Sequence, residues 1–258
     1  MLHNQEIVLK LIYTQTRLFD AMRLHWEFGS KARTSLGGIQ WSKLEKTGAW
    51  GSMNIDLEQL KKTQLYSEEL GIDLAGSEES ELFKWFLASL LFGARITEKI
   101  AKNTYRAFER HKLLTPQNIL KAGWDYLVNP IMAEGGYVRY DGRKSDQILR
   151  DCATLLNLYN GSLNKLHQEA KDSKDLEQKL LEFYGVGPIT VNIFLRELRP
   201  YWQKADPEPL PVVRKMARKF KIRLSDFDRK SIEFVRIEAG LIRLRRSLGQ
   251  PRRSISKK

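Results

Sequence analysis

The residues with the clearest chemical promise lie between Phe183 and Asp206. Phe183-Tyr184-Gly185-Val186-Gly187-Pro188-Ile189-Thr190-Val191-Asn192 reads as a helix end, a glycine turn and a second helix. Gly185 and Gly187 are open to backbone angles that other residues avoid. Pro188 suits a first helical turn, where its missing N–H is not needed. Such a turn presents bare backbone N–H groups at a helix N-terminus, which is a binding site for anions. Asp206 follows after a short gap and precedes Pro207 and an apolar-periodic run. The sequence therefore predicts its carboxylate at the mouth of a third helix, where a negative charge is favoured.

The rest of the chain names the anion. Among 258 residues, Lys and Arg exceed Asp and Glu by 13 charges. This excess recurs along the sequence and points to nucleic-acid phosphate. A merely basic surface is the plainer explanation of the same count. The single cysteine, Cys152, excludes a disulfide framework and a four-cysteine zinc or iron–sulfur site within one chain. The four histidines, His3, His25, His111 and His167, have no ligand spacing, so no metal site is expected. No signal-peptide pattern and no run of about 18 apolar residues is present, so the expectation is a protein inside the cell, with no membrane partner.

Helical periodicity supplies the elements that must position these groups, and strand signals are weak. Ile7, Leu11, Leu18 and Met22 mark an N-terminal helix, and the stretch 29–54 reads as a loop or insert. Ser77 is the expected cap of a helix with Glu78 and Glu79 in its first turn. Leu82, Phe83, Trp85, Phe86, Leu87, Leu90 and Leu91 make that helix apolar nearly all round, hence central. Further helices are expected over 96–110, from Thr115-Pro116, from Ser145 with Ile148, Cys152 and Leu155 inward, and from Asp175 to Tyr184. Val191, Phe194, Leu195 and Leu198 line the helix after the glycine turn; Val213, Met216, Ala217 and Phe220 line the one after Asp206. Ser225-Asp226-Phe227-Asp228 has the look of a capping box for a last long helix, and the tail with Arg252, Arg253, Lys257 and Lys258 is expected to fray.

At this point the sequence resembles the helix-hairpin-helix DNA glycosylase superfamily, of which endonuclease III is the familiar member. Phe183 to Val191 follows that family's hairpin pattern, and Asp206 falls within one position of its essential aspartate. Phe86 to Leu91 resembles its central buried helix, and the likeness runs from Ser77 to Phe220. The resemblance implies an all-α fold of two domains. Residues 77–200 would form a helical bundle ending in the hairpin; residues 1–76 and 201–258 would form a discontinuous second domain with a basic tail, Asp206 lying at the seam. It implies a base-excision enzyme acting as a monomer on double-stranded DNA with a damaged or mismatched base, in the cytoplasm, nucleoid or nucleus. Gly185, Val186, Gly187 and Thr190 would hold the DNA backbone, with a monovalent cation as an optional companion and no other cofactor.

The chemistry is intelligible from the residue types. Cleaving an N-glycosidic bond passes through an oxocarbenium-like sugar cation, which a carboxylate such as Asp206 stabilises, or it activates the attacking water. The plainer role for Asp206 is a helix cap. Two departures from the family stand out. Ile189 occupies the position of the lysine that forms a Schiff base in bifunctional members, which implies a monofunctional enzyme without lyase activity. Lys204 is a weak substitute. The run Asp206-Pro207-Glu208-Pro209 is also unusual for the family. A target base must leave the stack. Residues 135–144, with Tyr137, Tyr140, Arg139, Arg143 and Lys144, read as a loop able to stack a base and meet phosphates, and Arg95 as a residue able to fill the gap. Ordinary loop aromatics are the alternative. Arg243, Arg245 and Arg246 would add affinity independent of sequence. A non-catalytic DNA-binding module is the rival to the enzyme, and a helix-turn-helix regulator a weaker third.

Overall fold

The structure is a computed structural model that describes residues 56–248. The N-terminal helix and the 29–54 stretch lie outside the described residues, as do His3, His25 and the tail from Arg252 to Lys258. Ile55–Arg245 forms one compact unit. Among the described residues every regular element is helical: α1 (Leu57–Lys61), α2 (Tyr66–Leu70), α3 (Glu79–Phe92), α4 (Glu98–Arg110), α5 (Pro116–Tyr126), α6 (Asp141–Tyr159), α7 (Leu163–Glu169), α8 (Ser173–Leu181), α9 (Pro188–Leu198), α10 (Pro211–Lys219) and α11 (Ile232–Leu248), with irregular helical turns over Leu127–Gly135 and a single 3₁₀ turn at Leu224–Asp226. The all-α expectation holds for this region.

The hub is α3. Its residues Leu82 to Leu91 are buried save Lys84, and α4, α7 and α9 pack around it. Trp85 Nε1 donates to Phe194 O at 3.0 Å, and Phe86 meets Phe183 and Phe194 edge to face at 5.4 and 5.5 Å. The same residues thus fix the helices on both sides of the glycine turn. At the turn's far side, a Cβ built on Gly93 would sit 2.0 Å from Thr190 Oγ1, so Gly93 is what lets α9 approach the end of α3. Buried Glu197 accepts from the amides of Tyr66 and Ser67 and ties α9 to α2.

Several helix starts shift from the sequence expectation, each for a local reason. Ser77 adopts φ +49 in a turn, and Glu78 becomes the cap residue of α3. Thr97 caps α4 in place of a start at Ile96. Thr115 caps α5 as expected, its Oγ1 accepting from Asn118 N at 3.2 Å. α6 begins at Asp141, before Ser145, which is fully buried inside it; the first turn is polar and contains Gly142, so periodicity alone does not show it. Asp172, not Asp175, caps α8, accepting from Asp175 N at 2.9 Å. Ser231 caps α11 by accepting from Phe234 N, and Ser225–Asp228 forms the 3₁₀ turn and its exit.

The most consequential shift concerns Asp206. The helix after it begins at Pro211, not at Pro207. Glu208 and Leu210 each precede a proline, which steers a residue away from the helical region. Residues 205–210 therefore form no regular element, and Asp206 lies within an irregular strap rather than at a helix mouth.

Candidate functional site

The turn between α8 and α9 spans residues 182–187. Gly185 takes φ +69, and a Cβ there would also press to 3.0 Å from Gln147 Cδ. Gly187 is different: its φ of −109 is open to any residue, and no atom lies within 4 Å of its Cβ position. No side chain caps α9, whose first-turn amides are left for solvent or a ligand. The Val186 and Thr190 side chains are buried, so only their main chain can face an anion. Ile189 stands half exposed. Beside the turn, the Arg150 guanidinium lies 4.4 Å from the centre of the Tyr184 ring.

Beneath the turn runs a buried polar chain, and it removes Lys144 from the phosphate-contacting loop that the sequence suggests, since Lys144 is buried within α6. Lys144 Nζ donates to Leu90 O at 3.1 Å and to Gln147 Oε1 at 2.6 Å, and Gln147 Nε2 reaches Asp151 Oδ2 at 3.5 Å. Burial pushes the Asp151 carboxyl up to about 8, against the pull of Lys144, Gln147 and the Tyr184 backbone. Burial likewise brings Lys144 down to about 8, against the attraction of Asp151. The available signal was spacing: Lys144, Gln147 and Asp151 share the face of α6 that carries Ile148, Cys152 and Leu155. Burial raises the Cys152 thiol as well, so it stays protonated and inert.

Asp206 sits in a second, ion-rich layer. Its side chain is about one-third exposed, with Arg229 Nε 2.9 Å and Arg199 Nε 3.4 Å from Oδ1. Arg229 also donates to Glu208 Oε1 at 2.8 Å and to the carbonyls of Asp206 and Pro207. Lys230 Nζ donates to the carbonyls of Trp202, Gln203 and Ala205. Arg199 is fully buried, pairing with Glu238 and donating to Pro207 O. Asn192, inside the turn's helix, also binds the strap: its Nδ2 donates to Glu208 O at 2.8 Å. Burial raises the carboxyl of Glu177 on α8, and Glu208 and Asp206 add to the effect, so three carboxylates share one field.

Lys204 Nζ donates to His167 O and Gln168 O, which fastens it to the end of α7. Trp202 is core and stacks on His167 at 4.5 Å; burial, then Lys204 and Lys230, hold that imidazole down to about 4. Arg95 is exposed between α3 and α4. Tyr137 is buried in the core, whereas Tyr140 is 64% exposed at φ +62, with the Arg139 guanidinium 5.1 Å from its ring. No hydrogen bond or ion pair links Arg95, Tyr137 or Tyr140 to Asp206 among the described residues. Trp124 is half exposed and donates to Gly142 O. Arg243 is engaged within the fold, pairing with Glu69 at 2.9 Å and covering Tyr66. Among the described residues no three His, Cys, Asp or Glu side chains gather to hold a metal ion, and no helix is long and apolar enough to cross a membrane. No family model matches the chain, and no curated protein or solved structure matches it either.

Proposed function

We propose that this chain is a monofunctional DNA glycosylase of the helix-hairpin-helix type, acting as a monomer on duplex DNA inside the cell. The observation that carries the reading is the Asn192–Glu208 bond, which couples α9, whose N-terminus no side chain caps, to the strap that bears Asp206. In this reading the amides from Gly185 to Thr190 hold a phosphate beside the lesion. A monovalent cation, where one binds, would be held by main-chain carbonyls of the turn and would supply positive charge there.

The damaged or mismatched base leaves the stack and its sugar comes to Asp206. The C1′–N bond breaks with its electron pair leaving on the base. Asp206 stabilises the sugar cation. A water oxygen bonds to C1′ as its proton passes to the carboxylate, and the product is an abasic site with its strand intact. Ile189 offers no amine, and Lys204 is bound to the end of α7, so no Schiff base forms. Tyr140 and Arg95 remain the exposed candidates for contact with the flipped base and the vacated stack.

A second reading, a DNA-binding module without chemistry, is favoured by one observation: Arg229 and Arg199 already occupy the Asp206 carboxylate. Labelled duplexes carrying uracil, thymine mismatches, 8-oxoguanine or alkylated purines separate the two. Breaks that appear only after hot alkali, and vanish in Asp206→Asn, are the expected result. Duplex binding without release from any substrate favours the module, and breaks without alkali show that a lysine takes part.

A further inference from the structure

The helix that follows the strap has a face the proposed reaction does not use. From Pro209 to Ser225 the chain contains no acidic residue and six cations: Arg214, Lys215, Arg218, Lys219, Lys221 and Arg223. All six are exposed. On α10 the opposite side is apolar, and Val213, Met216 and Ala217 are buried. Arg214, Lys215, Arg218 and Lys219 follow the helical repeat, so they form one stripe rather than a ring. Arg214 lies 3.8 Å from Glu208 and Arg223 pairs with Asp226; Lys215, Arg218 and Lys221 meet no carboxylate among the described residues.

A stripe of this kind, with Lys215, Arg218 and Lys221 meeting no carboxylate among the described residues, costs self-repulsion unless an extended polyanion meets it. We infer that the α10 face, Lys215 to Lys221, is a docking surface for the phosphate backbone of duplex DNA. The inference rests on the glycosylase reading and extends it, since α10 continues directly from the Asp206 strap and Arg214 touches the neighbouring Glu208. The duplex held here would run past the carboxylate. The stripe contacts phosphate only and reads no sequence, which suits an enzyme that searches for a lesion. A lipid surface fits poorly, because interfacial helices bury an apolar face in the bilayer and α10 spends its own on the protein core.

The test measures binding of the full chain to a short intact duplex over a range of salt. One variant carries Lys215→Gln, Arg218→Gln, Lys219→Gln and Lys221→Gln; a control of equal charge carries Lys62→Gln, Lys99→Gln, Lys112→Gln and Lys121→Gln, all exposed positions. Equal melting temperatures establish that both fold. Each lost phosphate contact should flatten the plot of log affinity against log salt by about 0.9. The face variant should lose a slope of roughly 2 to 4 and at least tenfold in affinity at moderate salt, and the control far less. Equal losses in the two variants, or an unchanged face variant, overturn the surface while leaving base excision by the wild type to stand or fall alone. A flattened slope without excision from any substrate keeps the surface and removes the glycosylase. Binding to phosphatidylserine vesicles that is lost in the face variant, with duplex affinity unchanged, also overturns it, as does a wild type that binds no duplex.

Discussion

The glycine turn and the Asp206 strap hold their shapes by opposite means. The turn is local: Gly185 supplies a positive φ, Phe183 and Val186 anchor it in the core, and Gly93 gives Thr190 room. The strap has no local ladder. Arg199, Arg229 and Lys230 reach in from other segments and take its carbonyls and carboxylates. A surface built from backbone amides depends on the main-chain path and the packing beneath it, whereas a carboxylate held by long-range ion pairs depends on each partner. The difference makes separate demands on each region.

The strap should break hardest. Arg199 and Glu238 form a fully buried pair, and removing one partner leaves the other charge uncompensated. Glu238→Ala should cost about 3–5 kcal/mol in urea unfolding, and the strap should loosen with it because Arg199 also holds Pro207 O. Next comes the buried carboxyl under the turn. Asp151 is raised above its unfolded value, so its contribution is complete below the ordinary carboxylate range and is lost as pH rises toward about 8. Wild-type stability should therefore fall between pH 5 and 8 by roughly 2 kcal/mol more than that of Asp151→Asn, as read by unfolding at each pH. Equal slopes would mean that Asp151 is ionised throughout.

Within the turn the two glycines should separate. Gly185→Ala combines a strained φ with a 3.0 Å contact on Gln147, and a loss of about 1–2 kcal/mol is expected. Gly187→Ala should change stability by less than about 0.5 kcal/mol. Its effect should appear instead as weaker duplex binding, because the new methyl group stands where a phosphate would approach. A Gly187→Ala protein that unfolds early, or binds DNA unchanged, contradicts this division.

Much of this organisation is legible in the sequence. Core residues on α3 and α9, the Thr115 cap and the glycine turn follow from periodicity and from glycine and proline placement, which are local rules. The setting of Asp206 is not legible: the apolar pattern beyond it suggests a helix mouth, but three alternating prolines outweigh that pattern and the helix begins only at Pro211. The Lys144–Gln147–Asp151 chain and the Arg199–Glu238 pair were not read, since their partners are set by tertiary packing. Tyr137 and Tyr140 are the same residue type only three positions apart, yet one is core and the other is exposed. That outcome depends on where α6 starts, and a polar first turn hides the start.

The alternating prolines have one more consequence. An extended segment at a protein's edge offers amides to any passing strand, and such edges seed intermolecular pairing. Between residues 206 and 211 every second residue lacks that donor. Beside the Asp206 carboxylate the strap is thus a poor template for aggregation.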